Sequence, residues 1–273
     1  MPVLVTGAEG AIGSAAVHRL VRSGGEVRVF LDLERSVTPG PELFQALGCK
    51  VACGALDDEG HLETSLEQVH TVMHLASSPL EEPERMLDAA ATVLSAAIGA
   101  GCRRMIWLSH LGVEGPGGNR WLGACAEFED LLACAPLESV VFRRALTYGP
   151  GDELTAALAG GAAGGLDRVR AARHAPLYSG DLARAVTAAD RERVTGDSSD
   201  LHLVVAITGP DVLDLSEVIR GLRGTRTAPV HPRGLPEYTA DLLTRDLLPP
   251  PGAIGAHGTP FAEGTRRLAP TGE

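Results

Sequence analysis

Eight residues between a short apolar run and an amphipathic one carry the first recognisable chemistry: Thr6-Gly7-Ala8-Glu9-Gly10-Ala11-Ile12-Gly13. Glycine is needed where a turn takes positive φ or where backbone must come close to a ligand. Three glycines at this spacing, between a strand and a helix, form a loop whose amides and helix dipole hold a pyrophosphate. Gly7, Gly10, Ala11, Ile12 and Gly13 are therefore candidate contacts for a dinucleotide. The alternative is a glycine-rich turn that binds no nucleotide. The end of the following strand should meet the adenosine ribose, and Asp32 lies there. A carboxylate suits a free ribose hydroxyl and repels a 2′-phosphate, which favours NADH. Arg35, just beyond, either pairs with that phosphate or is a solvated loop charge.

Acid–base chemistry has few candidates. Lys50 is the only lysine, and Tyr148, Tyr178 and Tyr238 are the only tyrosines. Four residues after them stand Asp152, Leu182 and Leu242, so no Y-x-x-x-K pair exists. Cys49, Cys53, Cys102, Cys125 and Cys134 include no C-x-x-C and lack zinc-ligand spacing, so no metal is expected. With no basic, apolar leader at the start, these thiols read as reduced and the chain as cytoplasmic. A net charge of −11 argues against nucleic acid as a partner, and no apolar run is long enough for a membrane helix.

Such residues need a scaffold. Val3–Val5, Val27–Leu31, Val51–Cys53, Val72–Ala76, Met105–Leu108, Val140–Phe142 and Leu203–Ile207 read as short buried strands. Between them, Ile12, Ala16 and Leu20 share helical spacing, as do Leu62, Leu66 and Val69, and Met86, Ala90, Val93 and Ala97. A further helix is expected over about 121–134. Strands and helices in alternation imply a parallel sheet covered on both faces. The expected fold is α/β: a Rossmann-type doubly wound parallel sheet with a small C-terminal substrate-binding subdomain. Residues 1–150 form the dinucleotide-binding domain, with 174–208 returning to it. Residues 151–173 and 209–273 form the substrate-binding or lid region, beginning with an Ala/Gly-rich stretch read as a flexible crossover.

Several segments together resemble the short-chain dehydrogenase/reductase superfamily, in its extended or atypical branch. Besides the glycine loop, these are His74-Leu75-Ala76-Ser77, Met105-Ile-Trp-Leu-Ser109, Tyr148-Gly-Pro-Gly151, Tyr178-Ser-Gly-Asp181 and Pro260-Phe-Ala-Glu-Gly264. The resemblance implies cofactor contacts at Leu75, Ala76, Ser77 and Ala145, and an adenine contact at Leu56. Ala55 departs from it, standing where the family often has aspartate. The family's chemistry uses a Ser/Thr, a Tyr that acts as general acid, and a Lys. On its helix pattern the Tyr position is Trp121, the Lys position is Cys125, and the Ser/Thr position is His110. All three are substituted.

A carbonyl that accepts hydride still needs a proton. His110 is one expected donor, since imidazole titrates near neutrality, or else it packs beneath the nicotinamide. Ser109 either hydrogen-bonds the carbonyl or caps the strand end. A phenol beside the ketone is a third source, leaving the protein only to orient the reactants. Trp121 offers a stacking face and an N–H, or it plugs a dead site. Within the superfamily the chain is similar to atypical ketoreductases of aromatic polyketide (angucyclinone, simocyclinone-type) antibiotic biosynthesis. That likeness implies NADPH, with NADH as the alternative, and a large, flat phenolic ketone. Relatives pair through helices corresponding to about 86–99 and 121–134, which implies a homodimer. Two other functions compete: a catalytically silent dinucleotide sensor, and a sugar-nucleotide epimerase or dehydratase, which leans hardest on the missing tyrosine.

Overall fold

A seven-stranded parallel sheet runs through the computed structural model, which describes residues 1–32, 40–115, 117–160, 172–191, 201–223, 235–255 and 258–268. In chain order the first half contains β1 (Val3–Thr6), α1 (Ala11–Arg22), β2 (Val27–Asp32), α2 (Pro41–Ala46), β3 (Lys50–Gly54), α3 (Glu59–Leu66), β4 (Thr71–His74) and α4 (Pro83–Gly99). Then follow β5 (Arg104–His110), α5 (Arg120–Cys134), β6 (Glu138–Arg144), β7 (Thr147–Tyr148), α6 (Glu153–Ala159), β8 (Arg173–His174), β9 (Leu177–Tyr178) and α7 (Ser179–Ala189). The chain closes with β10 (His202–Ile207), β11 (Leu213–Asp214), α8 (Leu215–Leu222), α9 (Glu237–Leu243) and α10 (Phe261–Leu268).

The sheet order is β10-β6-β5-β4-β1-β2-β3, so chain progress reverses between β1 and β4. Right-handed crossovers then send α1 to one face and α4 and α5 to the other. The packing agrees: α1 lies against α7, while α3, α4 and α5 pack in sequence. β1, β4 and β5 are buried at every residue, as strands covered on both faces must be. Helix starts are marked locally. Asn119 accepts from the Leu122 amide at 2.9 Å to open α5, and Asp214 with Glu217 forms a reciprocal capping box for α8.

A second hydrophobic cluster stands apart from the sheet's core. Leu146, Tyr148, Leu154, Leu158, Leu215, Val218, Leu222, Leu243, Phe261 and Leu268 build it, drawing on α6, α8, α9 and α10. The Ala/Gly-rich stretch after residue 150, expected to be a flexible crossover, is thus helical over Glu153–Ala159, and its part beyond residue 160 lies outside the described residues. Asp152 caps α6 through the Thr155 amide at 2.8 Å, and Leu154 and Leu158, one turn apart, both enter this cluster. Small residues hid that signal, because only two apolar anchors mark the face. The two-residue pairings β7 with β9 and β8 with β11, and helix α9, also went unanticipated. No helix among the described residues is long and apolar enough to cross a membrane.

Candidate functional site

Parallel strands deliver their C-terminal ends to one edge of the sheet, and the reversal between β1 and β4 opens a crevice there. The glycine loop occupies that crevice. Gly7 takes φ +71°, and a Cβ on it would lie 2.4 Å from the Ala76 amide nitrogen. A Cβ on Gly13 would lie 2.0 Å from the Gly7 carbonyl oxygen. Gly10 is different: its φ is −79°, and the nearest atom to an added Cβ is the Gly7 oxygen at 3.5 Å. The protein itself leaves that space open. No side chain caps α1 and its first turn carries no acidic residue, so its amide end faces the crevice uncapped. An open cradle before an uncapped helix fits a pyrophosphate.

The neighbouring strand ends carry the other residues expected to meet a dinucleotide. Asp32 closes β2, is buried, and is paired in register with Gly54 of β3. Leu56, Leu75, Ala76, Ser77 and Ala145 are all buried. The Leu75 amide donates to Thr6 at 3.1 Å and the Ala145 amide to Ile207 at 3.0 Å, which fixes both strand ends. Ala11 and Ile12 form the first helical positions of α1. Arg35 lies outside the described residues.

The reaction end of the crevice corrects several sequence expectations. Ser109 and Arg143 are register partners on β5 and β6, and both turn toward α5. The Ser109 hydroxyl donates to the Glu129 carboxylate, which Arg143 grips through Nε and Nη2 at 3.0 and 2.6 Å. Arg143 also meets Glu114. This buried network engages Ser109 beneath α5, so its hydroxyl is not presented to a substrate carbonyl.

His110 and Arg144 are the next register pair. The His110 Nδ1 lies 3.0 Å from the Leu111 carbonyl, an acceptor only, so Nδ1 carries the proton and Nε2 is left bare. Burial, helped by the Arg144 charge, pushes the His110 pKa down to about 3. A neutral imidazole with its one proton bound to a carbonyl is no general acid, and the acid role expected for His110 is withdrawn. Trp121 is fully enclosed, with its Nε1 unpartnered, and offers no stacking face. Cys125 is equally enclosed, and burial pushes its thiol up to about 12, far from nucleophilic.

No tyrosine takes over. Tyr148 is sealed in the second cluster against Phe261, its hydroxyl pKa raised by burial. Tyr238 donates to the Glu81 carbonyl at 2.9 Å, and Tyr178 stacks beneath Arg267. Among the described residues no group of His, Cys, Asp and Glu could hold a metal ion. A groove of about 610 Å³ runs beside α7, lined by Phe142, Leu203, Val205 and Ile207. It follows the flank of β6 and β10 rather than the crevice, so it is not the dinucleotide site.

Sequence reasoning missed Glu129, Arg143 and Arg144. A signal existed: two adjacent arginines end an apolar strand, and alternation must send one to each face. Neither, then, could be dismissed as part of a solvated pair.

Comparison with known proteins agrees with this geometry. Residues 7–134 match a family described as NAD(P)H-binding. The (4-alkanoyl-5-oxo-2,5-dihydrofuran-3-yl)methyl phosphate reductase of Streptomyces griseus is 32% identical over 114 residues, which is 42% of this chain and only 36% of that enzyme. The UDP-glucose 4-epimerase of Thermus thermophilus, solved with NAD, is 21% identical, with a TM-score of 0.70 over 98% of this chain and 97% of its own. The Bordetella bronchiseptica enzyme WbmH, solved with NAD+, is 19% identical, with a TM-score of 0.72 over 98% and 96%. At such identities the solved structures share the fold and nothing finer.

Proposed function

We propose that the NAD(P)H-binding Rossmann domain over residues 7–134 serves a reductase of a flat, phenolic, polyketide-type ketone, with the proton supplied by the substrate. One observation carries this reading. The crevice keeps its dinucleotide cradle, yet among the described residues the groups considered as proton donors beside it are neutral, engaged or enclosed. When bound, the reduced nicotinamide supplies hydride. The chain's own part is then to orient the reactants and exclude water, which is a large share of the barrier in well-positioned reactions. An ortho-phenol completes the reaction: its proton moves to the new alkoxide, and the phenolate is reprotonated by solvent.

The Streptomyces griseus relative is named a reductase of an acyl-substituted unsaturated lactone, which supports reduction over a silent sensor. The sugar-nucleotide enzymes share the fold, but moving a sugar hydroxyl proton off and back requires a base that His110, with its lowered pKa, does not provide. For the cofactor we favour NADPH on the reductive chemistry, while Asp32 pulls toward NADH. Asp32→Ala should therefore raise affinity for NADPH relative to NADH, read by nicotinamide fluorescence; an unchanged ratio removes Asp32 as the discriminator. For the quaternary state we propose a homodimer through the outer faces of α4 and α5, where Ile98 and Leu131 are exposed; sedimentation checks it.

The decisive experiment follows NADPH oxidation across polycyclic phenolic ketones and their O-methyl ethers. Turnover of the phenols and loss of turnover with the ethers is the expected result. Cofactor binding without turnover across the panel would establish the sensor instead. Equal rates for phenol and ether would eliminate the substrate as proton source.

A further inference from the structure

We infer that Arg144 is the fixed cation of the reaction site, stabilising the negative charge that develops on the substrate's oxygen at the ends of β4, β5 and β6. This rests on the reductase reading above. The Arg144 side chain leaves the end of β6 and crosses the edge of β5 to donate from Nη2 to the Ser77 carbonyl, at 2.7 Å, beyond the end of β4. A longer contact of 3.3 Å joins Nη1 to the Thr147 hydroxyl. It thereby spans the three strand ends that face the candidate nicotinamide site.

Three observations set this arginine apart. It is 4% exposed, and its Nε is buried without a partner. No carboxylate among the described residues lies within ion-pair distance of it. Its neighbour Arg143, by contrast, grips Glu129 and Glu114. The carboxylate that Arg144 does feel, Asp152, has its Oδ1 committed to the Thr155 amide and hydroxyl. A buried guanidinium with no carboxylate in contact is costly, and an anion arriving from outside relieves that cost further than the distant Asp152 does. Its charge also acts on Cys125, which stands where the resembling family places its lysine. The cation of the site is thus carried by β6 instead of α5.

The reaction step balances without a protein acid. Hydride adds to the carbonyl carbon with its electron pair, and the π pair moves onto oxygen as an alkoxide. Arg144 holds its own protons throughout and lowers the energy of that anion through a preorganised charge in a poorly solvated site. The phenol proton then moves to the alkoxide, leaving a phenolate that the same charge stabilises. Arg144 is assigned here as a positioning and electrostatic residue, so its test must read charge as well as rate.

Danthron, a flat anthraquinone whose phenols adjoin a carbonyl, changes colour on ionisation and serves as the probe. It is bound to the protein saturated with NADP+, where no turnover occurs, and titrated with pH beside its dimethyl ether. On wild type the bound phenol should ionise about tenfold more readily than in water, one pKa unit. Arg144→Met and Arg144→Gln should abolish that shift while NADP+ affinity is retained. With reducible ketones, the same variants should lower kcat roughly 10²-fold with little change in KM. A neutral variant that keeps NADP+ affinity and shifts the dye as wild type does overturns the assignment of Arg144 alone. If both neutral variants fail to fold, the wild-type titration decides: a bound phenol that ionises no more readily than in water overturns the proposal. A wild type that neither binds danthron nor turns over any phenolic ketone overturns the parent reading and this one together.

Discussion

Gly10 and Gly13 are the same residue type three positions apart, yet different things exclude a side chain at each. At Gly13 the protein does, since a Cβ would sit 2.0 Å from the Gly7 oxygen. Gly13→Ala should therefore cost about 1–3 kcal/mol of stability, the usual penalty for overpacking, and lower the thermal midpoint. At Gly10 the protein has room, and a ligand is what would meet the methyl group. Gly10→Ala should fold within about 1 kcal/mol of wild type but bind NAD(P)H at least about tenfold more weakly, a loss of about 1.4 kcal/mol or more, read by fluorescence titration. The glycine loop was legible in the sequence because its spacing states a backbone demand. His110 was legible as a position but not as a chemical state. Its neutrality comes from enclosure and from Arg144 on the adjacent strand, neither of which local sequence reveals.

At the level of elements, strands were read well wherever burial on both faces left an uninterrupted apolar run, as in β1, β4 and β5. Elements with one or two apolar anchors escaped: α6 is marked by Leu154 and Leu158, and α9 by Leu242 and Leu243. Helix α5 was placed correctly, but what it presents was not. Trp121 and Cys125 are enclosed by packing, and Glu129 is the residue of α5 that reaches the network. Rebuilding the family's pair on α5 should consequently fail. Cys125→Lys would place an ammonium in an enclosed position already under the field of Arg144. A loss of about 3 kcal/mol or more is expected, read as a lowered urea midpoint, and adding Trp121→Tyr should not restore activity.

Over the whole molecule, enclosed imidazoles make stability depend on pH in a definite sense. Burial lowers the pKa of His110 to about 3 and also depresses His174 and His202 from their ordinary 6.5. Below about 6.5 the unfolded chain takes up protons that the folded chain refuses. The contribution of all three is therefore complete above that pH and is lost as pH falls, for His110 as pH approaches about 3. His110 alone should add a slope of about 1.4 kcal/mol per pH unit in this window, measurable by urea unfolding between neutral and mildly acidic pH. His110→Gln should flatten the profile by that amount, a comparison that cancels the opposite tendency of Asp152, whose pKa burial raises. Lys50 gives the molecule a last property. Its side chain is 69% exposed at the start of β3, where it pairs with Glu26 at 2.7 Å. It sits on the outermost strand, four strands from β5 and at the end opposite the crevice, a lateral separation of about 19 Å at ordinary strand spacing. As the sole side-chain amine, it is a ready-made handle: with the α-amino group blocked, an amine-reactive dye or resin should couple at this one side chain and tether every molecule in the same orientation, with the dinucleotide crevice open to solvent and NAD(P)H affinity unaltered.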